Sequence, residues 1–197
     1  MSFCFESTKW VEYMLKYGMG GGGMYKQMIL LCMAVLALFG CSSPDADEEA
    51  RKLADAFKNV QYQIEIKDAG TEADIDQVLE DFINQRNQQI KEYATEKVYQ
   101  DYMNNREAFF AYQVAVQEKA NMQVAITEFN KIRENEDGSF TYHYKMEIRL
   151  EYLDGAPERI IPANGQMDVI RVDGKWKVAR DWDGWPIVRL WKPQPSR

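Results

Sequence analysis

The 197-residue chain has one histidine, His143, and three cysteines, Cys4, Cys32 and Cys41. So few imidazoles and thiols leave no set with metal-ligand spacing, and no cofactor is expected. From residue 41 onward there is no second cysteine, which excludes an intrachain disulfide there and suits a compartment outside the cytoplasm. Basic charge is short as well: 24 Lys and Arg stand against 31 Asp and Glu, a net charge of −7. Such a chain lacks the electrostatic footprint of a nucleic-acid binder. No Ser/His/Asp set, phosphate-binding glycine loop or metal-spaced carboxylate cluster is present, so no catalytic residue is assigned and the chain is expected not to be an enzyme. The composition, 46% hydrophobic and 13% aromatic, is that of a globular domain.

The apolar run Met28–Phe39 has twelve residues. At about 1.5 Å per residue it falls well short of a hydrocarbon core about 30 Å thick. It has the length of a signal-peptide core, with Lys26 as the positive flank. Leu38-Phe39-Gly40-Cys41 comes directly after it and resembles the lipobox of bacterial lipoproteins. The resemblance implies cleavage between Gly40 and Cys41 and a diacylglycerol on the Cys41 thiol. The partner would then be a membrane, and the location extracytoplasmic and lipid-anchored to the cell membrane (the outer membrane if the source has one). Residues 1–23, with the glycine run Gly20–Gly23, are either a genuine extension or a mis-assigned start, a purine-rich ribosome-binding tract read as codons. In the second case translation begins at Met24. Residues 24–40 form the signal peptide, 41–47 a tether, 48–183 the folded domain and 184–197 a C-terminal tail.

Within the domain, Ala50, Leu53, Ala54 and Phe57 mark one face of a helix behind the acidic start Asp45, Asp47, Glu48 and Glu49. Val60, Tyr62, Ile64 and Ile66 alternate, which predicts extended chain. Thr71 with Asp74 opens a second helix along Ile75, Val78, Leu79, Phe82 and Ile83, with a polar stretch then running to Lys91. Thr95 caps a third helix carrying Val98, Tyr99, Tyr102 and Met103, and Phe109–Val116 fits helix or strand equally. Beyond Asn121 the period is two. Phe140, Tyr142, Tyr144, Met146, Ile148, Leu150 and Tyr152 alternate strictly with polar neighbours, and Asp137-Gly138, Asp154-Gly155 and Asp173-Gly174 mark hairpin turns. Pro162, without a backbone donor, predicts an edge or a bulge.

Two or three helices on a four-stranded antiparallel meander make an α+β domain with a curved sheet. The ending Val169–Val178, with Asp173-Gly174-Lys175-Trp176-Lys177-Val178, resembles the nuclear transport factor 2-like (cystatin-like) class, over roughly residues 46–183. That class hosts enzymes, binding modules and scaffolds. The expected function is a non-enzymatic binding module for a protein or small apolar ligand at the cell envelope. The alternatives are a structural subunit of a secretion or conjugation assembly, and an isomerase or cyclase working in the cone. No family motif carries a catalytic residue onto this chain. Tyr142, Tyr144 and Tyr152 are the ligand-pocket candidates, and the competing expectation is that these rings simply pack on the helices. His143 lies in the polar phase of its strand and is expected on the solvated face. Trp176 and Trp182 share the inward phase of the last strand, while Trp185 and Trp191 belong to the tail.

Overall fold

A computed structural model describes residues 44–66 and 72–192. The signal peptide, the Gly40–Cys41 cleavage site, the acylation of Cys41, the start at Met24 and the Thr71 cap all lie outside these residues.

Helix α1 spans Pro44–Tyr62. It therefore begins inside the expected tether, with Pro44 in the first turn, where a missing N–H costs nothing. Its inward stripe is Ala50, Leu53, Ala54 and Phe57, all buried. The helix also runs through Val60 and Tyr62, where extended chain was expected. Both are buried as part of the same stripe, so tertiary packing outweighs the local alternation. Only Ile64 remains of the expected strand, exchanging two backbone hydrogen bonds with Met122, at 2.9 and 2.8 Å.

Helix α2 (Glu72–Tyr93) absorbs the polar stretch, and near its end Ile90 is fully buried. Helix α3 (Glu96–Asn104) starts after Thr95, but the Thr95 side chain makes no cap bond. Instead its N–H donates to the Val178 carbonyl at 2.9 Å and ties the helix start to the sheet. Helix α4 (Glu107–Glu118) resolves the ambiguity at Phe109–Val116, burying Ala108, Ala111, Tyr112, Val114 and Ala115. Four helices, not two or three, thus cover the sheet among the described residues.

The strands β1 (Ala120–Glu134), β2 (Phe140–Tyr152), β3 (Arg159–Val172) and β4 (Lys175–Trp182) form an antiparallel meander in sequence order. The architecture is the expected α+β one, a curved, unclosed sheet with the helices on it. On β2 the alternation holds: Tyr142, Tyr144, Met146, Ile148 and Leu150 are buried to 1% exposure or less. Pro162 faces Glu147 of β2, while β4 pairs only with Gln166–Val172, so the first half of β3 is an edge, as its proline requires. Asp173 and Gly174 both have positive φ, 51° and 77°, as the two central residues of a tight hairpin turn must.

Three register shifts bend the sheet. Thr127 and Ile132 are extra residues in β1, and Ala179 is extra in β4, where Val178 faces Val169 but Arg180 faces Asp168. Each extra residue reverses the phase of the strand beyond it. Past Ala179, the side chain of Asp181 turns inward and Trp182 turns out, opposite Gln166, where it is 62% exposed. Trp182 does not share the inward phase of Trp176.

The C-terminal segment is also not a free tail. Ile187 is buried, Leu190 and Trp191 pack on the core, and Trp191 meets Phe110 edge to face at 5.3 Å. Gln117 on α4 clasps it, donating to the Lys192 carbonyl at 2.9 Å and accepting from the Lys192 N–H at 3.1 Å. The domain therefore extends to at least Lys192.

Candidate functional site

Lys58 falls on the inward side of α1, one residue after Phe57, and is 1% exposed. A buried ammonium needs carboxylates and complete hydrogen bonding. The sheet supplies Asp181, turned inward by the bulge at Ala179, and the chain just beyond β4 supplies Asp183. Lys58 Nζ donates to Asp181 Oδ2 at 2.5 Å and to Asp183 Oδ2 at 2.8 Å. Two phenols complete the set: Tyr144 donates to Asp181 Oδ1 at 2.8 Å and Tyr62 to Asp183 Oδ2 at 2.5 Å. The Trp185 N–H donates to Asp183 Oδ1 at 2.9 Å. The ammonium also sits 5.0 Å from the Tyr144 ring centroid and 5.5 Å from that of Tyr62.

Burial alone would drive the Lys58 proton off, but the two carboxylates win and hold its pKa well above the lysine range. One cation cannot satisfy two buried anions equally. Burial pushes Asp181 up, against the pull of Lys58, while Asp183 resists burial and stays low through Lys58, Tyr62 and the Trp185 N–H. Gly165 makes room for this arrangement. A Cβ there would lie 2.4 Å from both the Tyr144 hydroxyl and the Trp182 carbonyl oxygen.

Beside the cluster lies a cavity of about 250 Å³ between α1, α3, the start of α4 and the end of β4. Its walls include Gln61, Asp101, Tyr102, Glu107, Asp181 and Trp185. Glu107 is pushed up to about 7, chiefly by burial and against the pull of Lys58. Gln61 Nε2 donates to Glu107 Oε2 at 3.0 Å, which orients the amide and leaves its own Oε1 without a partner. The buried Tyr102 hydroxyl is also unpartnered, and burial pushes its pKa well above the tyrosine range. Among the described residues no group of three or more His, Cys, Asp or Glu could hold a metal ion.

Of the three candidate tyrosines, only Tyr144 joins this cluster. Tyr142 stacks on Phe129 at 4.3 Å and donates to Asp47 Oδ1 at 2.7 Å. Tyr152 reaches Glu118 at 3.4 Å. None of the three lines the cavity. His143 stands between Asn130 and Gln166 in the outward phase of the sheet. Trp176 leans on Phe140 and donates to Glu49 at 2.7 Å. Sequence reasoning missed Lys58, Gln61, Glu107, Asp181 and Asp183. For Lys58 and Gln61 a signal existed, since they fall between Phe57 and Tyr62 on an otherwise apolar stripe. For Asp181 none did, because its inward position results from the bulge.

No protein-family model matches the chain, and no curated protein sequence matches it. Among solved structures it is similar to Aln2 from a Streptomyces species, at 12% identity over 73% of this chain and 93% of that one, TM-score 0.46. A periplasmic fragment of TraM shows 12% identity over 69% of this chain and 95% of that one, TM-score 0.44. The putative transfer protein TraH from a Gram-positive conjugative plasmid shows 17% identity over 69% and 91%, TM-score 0.41.

Proposed function

We propose that this chain is an extracytoplasmic lipoprotein, anchored through Cys41, whose domain is a non-enzymatic binding module with the cavity beside Glu107 as its site. One observation carries the reading: Gln61 Oε1 and Tyr102 Oη are buried at the cavity wall without a partner. An unsatisfied buried polar group costs about 1–3 kcal/mol, a penalty that a bound molecule would relieve. Lys58, Asp181 and Asp183 are fully engaged with one another and with tyrosines, which supports holding rather than turnover. Among the described residues no helix is long and apolar enough to cross a membrane; the attachment proposed is the lipid on Cys41.

Two experiments test this. Replacing Cys41 with Ser should abolish fatty-acid labelling and move the protein out of the membrane fraction; a mutant that keeps its label overturns the anchor. A fragment screen on the purified protein, read by thermal shift and tryptophan fluorescence, should give binders that are lost in Val98→Phe, which fills the cavity from α3. A screen with no binder sensitive to that substitution overturns the binding site. A second reading, acid–base catalysis, is favoured by the buried carboxyl at the cavity wall, Glu107, which burial pushes up to about 7. Conversion of a bound fragment that stops in Glu107→Gln would establish it. The remaining reading, a subunit of an envelope assembly such as a conjugation machine, would show itself as a discrete high-mass complex on cross-linking in cells.

A further inference from the structure

We infer that the cavity takes a primary ammonium group, held by Gln61 Oε1, Tyr102 Oη and the Glu107 carboxylate, with its methylene stem leaving past Trp182 and Trp185. The inference rests on the binding-module reading and specifies its ligand.

Charge gives the first argument. The cavity is lined by Asp101, Glu107, Asp181 and Asp183, and its cations are already engaged. Lys97 pairs with Asp101 at 2.5 Å, Arg180 with Asp168 at 2.7 Å, and Lys58 lies beneath, committed to Asp181 and Asp183. Those pairs also compensate Asp101, Asp181 and Asp183, so among the described residues Glu107 is the lining carboxylate with no ion pair to a cation, and a cation entering beside it supplies one.

Hydrogen bonding gives the second, independent argument. The Gln61 oxygen can only accept, and Tyr102 and Glu107 can both accept. An ammonium brings three N–H donors and no acceptor, the complement of a wall whose two unpartnered buried atoms can both accept. A quaternary ammonium has the charge but no donor, so it would leave both buried atoms as they are. Trp185 also lines the cavity, and an indole suits a cation on an alkyl stem. The volume, about 250 Å³, fits a small amine or a single lysyl side chain rather than a drug-sized ligand.

The site should respond to pH through Glu107. Facing it are Lys58, Gln61 and Tyr62 from α1, Tyr102 from α3, and Asp181 and Asp183 from the sheet end. A bound cation favours its ionised form, so below about 7 binding must expel a proton, and affinity rises with pH through that value.

The test is titration of the purified protein with n-butylammonium, tetramethylammonium, butyramide and butyrate, read by tryptophan fluorescence and calorimetry at pH 6 and pH 8. Saturable binding of n-butylammonium alone is expected, several-fold tighter at pH 8 than at pH 6. Glu107→Gln should weaken it by roughly tenfold or more and flatten the pH dependence, as for loss of a charge-assisted hydrogen bond. Tyr102→Phe, which removes only the hydroxyl, should weaken it several-fold. Thermal melting checks that both variants remain folded. Two further probes, 1,5-diaminopentane and a blocked Gly-Lys-Gly peptide, distinguish a free amine from a lysyl side chain as the source. Equal or tighter binding of butyramide, butyrate or tetramethylammonium overturns the ammonium assignment and leaves the binding pocket standing. Absence of binding by every probe, together with no fragment sensitive to Val98→Phe, overturns both.

Discussion

The last strand performs two tasks, divided at Ala179. Before it, Val178 and the inner face of Trp176 join the apolar packing against Val169 and Phe140. After it, Asp181 enters the same interior as an ion and needs Lys58, Asp183, Tyr62 and Tyr144 around it. The apolar end is held by many weak, non-directional contacts, so its losses scale with the atoms removed. The ionic end is held by a few directional contacts in low dielectric, and removing one member exposes the desolvation cost of the others. One end degrades by increments and the other fails as a unit.

The sharpest way to break this contrast is Lys58→Met. It leaves two buried carboxylates without a cation and should cost about 3–5 kcal/mol, read from urea unfolding. Adding Asp181→Leu and Asp183→Asn should restore most of that loss, because the whole set is then replaced rather than broken. A triple variant as unstable as Lys58→Met would show that the ions do more than compensate one another. Next in size is Gly165→Ala, whose methyl group collides with the Tyr144 hydroxyl and the Trp182 carbonyl. It should lower stability by about 1–3 kcal/mol, and a crystal structure should show Tyr144 displaced from Asp181.

A smaller and pH-dependent effect is expected at Glu107. Its folded pKa, about 7, lies above the ordinary glutamate value of 4.5. The folded state therefore holds the proton more tightly, and stability falls as pH rises from about 4.5 to 7, with the loss complete above 7. Glu107→Gln removes this slope, so the variant should gain on the wild type across that window and run parallel to it at higher pH in thermal melts. At the bottom of the range, Trp182→Ala and His143→Gln alter outward-facing positions. Each should stay within about 0.5 kcal/mol by urea unfolding. A loss of several kcal/mol at Trp182 would place it in the core and refute the phase reversal at Ala179.

Much of the fold was legible in the sequence because period and punctuation determine it. Strict alternation from Phe140 to Tyr152 and the Asp-Gly pairs describe the meander, and Ala50–Phe57 describes the face of α1. What escaped was whatever depends on contacts distant in the chain. Val60 and Tyr62 read as strand because period two and a continuing helix stripe coincide over so short a stretch. Ile187, Leu190 and Trp191 lie past Gly184 and Pro186 and show no periodicity, yet α4 provides a surface for Trp191 through Phe110. The site was the least legible part. Its ionic members come from positions 58, 107, 181 and 183, and the inward turn of Asp181 depends on one unpaired residue that no local pattern marks.

That unpaired residue has an evolutionary consequence. In a sheet of this kind, polarity inside the domain can be introduced by inserting a single codon rather than by exchanging an apolar residue for a charged one. Such an insertion at the position of Ala179 moves a whole downstream run from one face to the other at once. Related chains aligned without a gap there would show an aspartate where others have a tryptophan, though neither residue had been substituted. Functional divergence in this fold should therefore be sought in the placement of gaps along the closing strand as much as in the identity of the residues that flank them.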